Sequence, residues 1–209
     1  IGGGIGGFIG EIHRMAMRLD NRYELVAGAL SSDATRAMES ANELDVRGYE
    51  TWQELLESEK GSIDCVVIVT PNDSHAEIAT AALQAGYHVV LDKPMTRTLQ
   101  EAEELAKVAA NSKNVFCMTY TYTGYPMIRK MRERILAGDI GKVRTVSVDY
   151  RQGWLHAPIE RDGQKQAAWR TNPQKSGEGA LGDIGSHGEQ LVRFTTGLAI
   201  DQVRGDVHT

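Results

Sequence analysis

The sequence predicts an α/β chain that opens as a doubly wound parallel sheet and continues into an apparently incomplete α+β domain with a mainly antiparallel open sheet. Three observations carry the prediction. The chain starts on a glycine-rich stretch, Gly2-Gly3-Gly4-Ile5-Gly6-Gly7; short apolar runs then alternate with amphipathic segments up to about residue 121; beyond it the pattern changes to one-sided alternation. The expected domains are therefore 1–121 and 122–209.

Each element has a local reason. Residues 8–19 place apolar side chains at helical spacing, and 23–30 form a short apolar run bounded by Asn21-Arg22 and Ser31-Ser32, read as a strand. Asp33 caps a helix through Leu44, Thr51 opens another through Glu57, and 64–69 reads as a fully buried strand. Ser74 with Glu77 has capping-box spacing for a helix to Gln84, which Gly86 ends before a strand over 88–91. Thr98 with Glu101 repeats the device for a helix to about Ala110, followed by a strand over 115–120. Strands alternating with helices make parallel βαβ units.

In the second part a helix is expected over 125–137, ending at Gly138, and a half-exposed strand over 143–150. Residues 151–179 read as a long polar loop with Trp154 and Trp169 as its large apolar anchors, followed by a helix over 182–194 and a strand over 201–208. The start at Ile1, on a loop that normally follows a supporting strand, predicts a piece of a longer protein.

Composition narrows the function classes. A chain of 209 residues with 41% hydrophobic and 24% charged side chains has the makings of a packed core. A net charge of −5 without a basic run disfavours nucleic acid and anionic membranes as partners. No apolar stretch reaches the roughly 18 residues of a bilayer span, so a cytoplasmic protein is expected. Cys65 and Cys117 lie in apolar runs and read as buried small hydrophobes, with no metal-ligand spacing.

Gly2, Gly4 and Gly7 satisfy GxGxxG, in which missing side chains let the backbone approach a pyrophosphate at the following helix N-terminus. The motif is weak alone and gains weight from the βαβ pattern after it. An acidic residue usually ends the second strand; Ser31 and Ser32 stand there instead, with Arg36 nearby. They fit either a 2′-phosphate or a plain helix cap, so NAD and NADP both stay open. Thr70-Pro71-Asn72-Asp73-Ser74-His75 and Asp92-Lys93-Pro94 each follow a strand at its carboxyl end, where open α/β sheets bind ligands. An ammonium at residue 93 is suited to stabilising a developing alkoxide.

GxGxxG, TPNxxH and DKP at successive strand ends, then Ala168-Trp169-Arg170 and a run of Gly179 to His187, resemble in that order the glucose–fructose oxidoreductase / inositol dehydrogenase (Gfo/Idh/MocA) family. The resemblance covers nearly the whole chain. It implies a Rossmann domain binding NAD or NADP and hydride transfer with a secondary alcohol of a sugar, cyclitol or similar polyhydroxylated ring. By the same resemblance Lys93 is the catalytic lysine, with Asp92 where Glu is commoner and a cis bond to Pro94. Thr70, Pro71, Asn72 and His75 would lie against the cofactor, and Phe8, Ile9 and Asp92 are placed with them. His187 would be the general base, and Asp183 would orient it or bind a substrate hydroxyl. Trp169 and Arg170 would border the pocket. Gln190 and Thr123 depart from the pattern. The family also implies a homo-oligomer and leaves two alternatives, a glycoside-cleaving enzyme of the same fold and a non-catalytic dinucleotide-binding paralogue.

Overall fold

A computed structural model describes residues 1–177, 179 and 181–206. The first part contains five short strands: β1 (Ala27–Gly28), β2 (Arg47–Gly48), β3 (Cys65–Ile68), β4 (His88–Asp92) and β5 (Phe116–Thr119). β1 pairs with β2, and β3–β4–β5 form a second ladder, all parallel. The first residues of the chain join the two. The amides of Gly2 and Gly4 donate to the carbonyls of Ala29 and Leu30, and the amide of Val69 donates to the carbonyl of Ile1. Residues 1–4 therefore lie in the middle of the sheet, which reads outward in both directions from the glycine loop, the doubly wound arrangement.

The helices of this part are α1 (Phe8–Arg18), α2 (Ala34–Glu43), α3 (Trp52–Ser58), α4 (His75–Gln84) and α5 (Leu99–Asn111). Their starts follow the sequence chemistry in three cases. Asp33 accepts from the amide of Arg36, and Thr51/Glu54 and Thr98/Glu101 form complete capping boxes. The expected box at Ser74 and Glu77 is absent. The Ser74 hydroxyl donates instead to Thr70 Oγ1 at 2.7 Å and to the Pro71 carbonyl at 2.9 Å, closing the Asn72–Ser74 turn rather than capping α4.

β3 and β4 supply the centre of the core, with Val66, Ile68, Val89 and Leu91 at most 3% exposed, and α4 covers them with Ile78 and Ala82. Cys117 departs from expectation: it lies on β5 and is exposed, while Cys65 is half-buried.

In the second part, α6 (Pro126–Leu136) packs against α9 (Ser186–Thr196). Residues 151–179 are not a structureless loop; they carry a 3-10 turn (Ile159–Asp162), α7 (Lys165–Arg170) and α8 (Pro173–Ser176). Gln164 and Asn172 cap the two short helices, signals that the surrounding glycines and prolines obscure. Among the described residues, neither expected strand of this part forms. Residues 143–150 and 201–206 make no strand ladder, and Val146 and Val148 are each 46% exposed, so the alternation has no neighbouring strand to pair with among the described residues. The rest of the second expected strand, 207–208, lies outside the described residues. Among those described, no helix is long and apolar enough to cross a membrane.

Candidate active site

The glycine loop is shaped by close approach. A Cβ on Gly4 would stand 2.5 Å from Ser40 Oγ and 2.7 Å from the Leu30 carbonyl oxygen, and one on Gly7 would stand 2.9 Å from Gly3 Cα. Gly10, which the motif does not include, is as tight: its Cβ would run into the Gly3 carbonyl oxygen and lie 2.5 Å from Gly3 Cα, so α1 rests directly on the loop. A glycine inside a helix costs about 1 kcal/mol against alanine, and that cost is the signal that Gly10 has a packing reason. The front of the loop is open by contrast. A Cβ on Gly6 meets nothing nearer than Lys165 Nζ at 4.0 Å, and no side chain caps α1, leaving its first amides without a side-chain acceptor. These features fit a pyrophosphate.

Arg36 reaches back to this loop, Nη2 donating to the Ile5 carbonyl at 3.3 Å, while Ser40 Oγ accepts from the Ile5 amide at 3.0 Å. Ser31 Oγ accepts from the Asp33 amide, and Ser32 is exposed beside it. Asp33, not Ser32, is the helix cap.

The segment after β3 is tied down by its own polar groups. His75 is 1% exposed, its Nδ1 2.9 Å from the Pro94 carbonyl and its Nε2 2.9 Å from the Thr70 carbonyl. Asn72, 5% exposed, donates to the Ser176 carbonyl at 2.9 Å. Both were expected against the cofactor; here both are buried and clamp backbone, His75 between two carbonyl oxygens and Asn72 through its side-chain amide on the Ser176 carbonyl. Thr70 Oγ1 is taken by Ser74, and Pro71 is exposed.

At the end of β4 the Lys93–Pro94 bond is cis. Lys93 Nζ donates to Asp183 Oδ1 at 2.6 Å and to the Asp183 carbonyl at 2.8 Å. Asp183 Oδ2 lies 3.3 Å from Arg170 Nε, so one carboxylate serves two cations. Asp183 sits in a π-helical turn, Leu181–Gly185, that leads into α9; such bulges are frequent at functional sites. The expectation that Asp183 orients His187 is not met: it makes no hydrogen bond to that ring, and His187 Nδ1 is buried without a partner among the described residues. Instead, Tyr122 and Tyr120 flank the imidazole edge-on, with ring centroids at 4.9 and 6.0 Å. Burial, and then the Lys93 charge, hold His187 below its ordinary pKa, so the ring is neutral near pH 7.

Asp92 is anchored from the other side. Thr119 Oγ1 donates to its carboxylate at 2.8 Å and His13 Nε2 lies 3.6 Å away. Burial would raise the pKa of Asp92; the neighbouring His13 and the Thr119 hydrogen bond outweigh it, and the net shift is downward. His13 had one signal in the sequence, its place one helical turn beyond Ile9.

These groups share a cleft of about 510 Å³. Phe8, Ile9, Asp92, Lys93 and Thr119 form the side nearest the parallel strands. Tyr122, Tyr125, Tyr150 and Trp154 line it as well, as do Arg170, Asp183 and His187. Trp169 is not in the lining; its ring carries the Arg170 guanidinium at 4.2 Å. A larger groove of about 1260 Å³ adjoins it and shares Tyr150, Gln152, Trp154, Arg170, Asp183 and Ile184, but not Lys93 or His187, so it is not where the reactive groups meet.

The match to known proteins decides the family. The profile described as "Oxidoreductase family, NAD-binding Rossmann fold" matches residues 2–120, more than half of the chain. The chain belongs to this family. A second profile, the GFO/IDH/MocA C-terminal domain, matches residues 128–209. An uncharacterized oxidoreductase, YfiI, of Bacillus subtilis is 34% identical over 198 residues, 90% of this chain and 50% of that protein. Levoglucosan dehydrogenase of Pseudarthrobacter phenanthrenivorans is 29% identical over 203 residues, 92% of this chain and 50% of that protein. The crystal structure of an inositol dehydrogenase homolog complexed with NAD+ from Azotobacter vinelandii superposes with a TM-score of 0.88 at 39% identity, covering 93% of this chain and 51% of that one. This Gfo/Idh/MocA chain spans about half the length of the curated relatives it matches.

Proposed function

We propose that the chain carries the nucleotide site and the reacting residues of an NAD(P)-dependent dehydrogenase acting on a secondary alcohol of a sugar, cyclitol or similar polyhydroxylated ring. The observation that carries the reading is the meeting of Lys93 and His187 in one cleft beside the start of α1, with Asp183 gripping the ammonium at 2.6 Å. Gly2, Gly4 and Gly7 with the uncapped start of α1 would hold the pyrophosphate, and Phe8, Ile9 and Asp92 the nicotinamide side. Ser31, Ser32 and Arg36 would face the adenosine ribose, which leaves NAD and NADP both admissible. A nicotinamide held there would supply the hydride acceptor or donor for the carbinol carbon.

The chain's own residues manage the proton. Neutral His187 takes the hydroxyl proton, and the Lys93 ammonium opposes the charge that develops on the same oxygen. Asp183 acts through Lys93: two contacts from one residue fix the Nζ position, and the Arg170 guanidinium keeps that carboxylate in place. The levoglucosan dehydrogenase and the NAD+-bound inositol dehydrogenase homolog support this substrate class and cofactor. Self-association belongs to the same reading, supported by the exposed apolar side chains of Val146, Val148, Ile200 and Val203.

The test is a panel of ring alcohols offered to the whole protein with NAD+ or NADP+, following formation of the reduced nucleotide. Turnover of one or more ring alcohols, lost in Lys93→Met, is expected. A Lys93→Met protein with full activity would remove the mechanism.

A further inference from the structure

We infer that the cleft selects an uncharged ring and excludes phosphorylated or carboxylated ones, with Trp154, Tyr122 and Tyr150 as the wall that reads the ring. The inference rests on the dehydrogenase reading and narrows its substrate.

The charged side chains lining the cleft balance, two cations against two carboxylates, so it offers an anion no net positive charge. Among the described residues lining it, the cations are Lys93 and Arg170 and the carboxylates are Asp92 and Asp183. Asp183 is the counter-ion of both cations, at 2.6 and 3.3 Å. An anionic substituent would have to displace this carboxylate or settle beside it, and like charges brought together across an interface cost several kcal/mol.

The rest of the lining matches a neutral polyol. Gln152 Oε1 accepts from Trp154 Nε1 at 2.9 Å, Gln164 Oε1 from the Ala167 amide at 2.6 Å, and Gln166 Oε1 from Arg170 at 2.6 Å. With their carbonyl ends engaged inside the chain, what these three amides offer a ligand is N–H donors, which hydroxyl oxygens accept without charge. Tyr122 and Tyr150 are hydrogen-bonded through their hydroxyls. Trp154 is fixed from both sides, by Gln152 at its Nε1 and by the Arg170 guanidinium 5.8 Å from its ring centroid. Aromatic side chains, with only two rotatable bonds to order, pack against the C–H face of a sugar or cyclitol at little entropic cost.

The experiment is isothermal titration of the whole protein, with reduced nucleotide bound, using myo-inositol, glucose and glucose 6-phosphate as probes. A neutral probe should bind roughly 100-fold more tightly than the phosphate ester. Trp154→Ala should weaken the neutral probe roughly tenfold, while Tyr122→Phe, which keeps the ring face, should weaken it less. Binding of glucose 6-phosphate as tightly as either neutral probe, or no binding of any neutral probe, overturns the inference. Turnover run in parallel separates the two claims. Preferred oxidation of the phosphate ester defeats the selection and leaves the dehydrogenase reading standing; neutral rings that bind but are never oxidised defeat the dehydrogenase reading.

Discussion

Replacing Gly4 by alanine tests how closely the nucleotide loop is packed. The added methyl would stand 2.5 Å from Ser40 Oγ, 2.9 Å from Ser40 Cβ and 2.7 Å from the Leu30 carbonyl oxygen. The backbone cannot retreat freely, because that same carbonyl accepts the Gly4 amide at 3.0 Å. Relief must come from Ser40, whose Oγ accepts from the Ile5 amide at 3.0 Å and donates to the Arg36 carbonyl at 2.7 Å. Overpacking of this kind costs ~1–3 kcal/mol. Losing two neutral hydrogen bonds adds ~1 kcal/mol each, for a total of ~3–5 kcal/mol if nothing else relaxes. Urea unfolding followed by circular dichroism measures it, with NADH or NADPH titration by fluorescence as the functional readout. Ser40→Ala is the control, which removes the hydrogen bonds without the clash and should cost ~1–2 kcal/mol. The reasoning is refuted if Gly4→Ala unfolds at the wild-type midpoint and binds the nucleotide with wild-type affinity.

Further outcomes follow from the same geometry. Because burial and Lys93 hold the His187 pKa below 6.5, kcat/KM should rise with pH along a limb centred below that value, and His187→Gln should abolish the limb. The same shift affects stability: unfolded His187 gains its proton below pH 6.5 and folded His187 only at lower pH, so stability present above 6.5 is lost as pH falls through this window, read as a drop in Tm that His187→Gln lessens. Leu105, 1% exposed at the core, should cost ~2–5 kcal/mol as Leu105→Ala in urea titration. Thr98→Ala, which removes the α5 cap, should cost ~1 kcal/mol by the same measurement. Asp183→Asn should lower kcat by roughly tenfold to a hundredfold with nucleotide affinity kept, since it loosens Lys93 rather than the glycine loop.

What could be read from the sequence depended on whether the cause was local. Caps at Asp33, Thr51 and Thr98 involve partners three residues away, and the βαβ alternation repeats over short windows, so both were legible. Ser74 looked like another cap, but its hydroxyl is drawn to Thr70 and Pro71 by a turn that spacing alone does not announce. The strand expected over 143–150 was inferred from alternation, which records a half-exposed face and not the neighbour that must pair with it. At the site, Lys93, Asp183 and His187 were legible as residue types in order; their wiring was not. The ion pair between Lys93 and Asp183 joins positions 90 residues apart, and the clamp roles of His75 and Asn72 require burial that no motif encodes. Tyr122 and Tyr150 carried a faint signal, aromatic side chains at the start of the second part and at the end of its first expected strand.

The central claim is that residues 93 and 187 work on the same hydroxyl, and a double-mutant cycle measures it. Lys93→Met, His187→Gln and the double variant are compared by kcat on an oxidised ring alcohol, with nucleotide affinity checked for each. Each single variant should lose ~10²–10⁴-fold, and the double variant should lose little more than the worse single one. Losses that multiply would mean that the ammonium and the imidazole serve separate steps, and would contradict a shared hydroxyl.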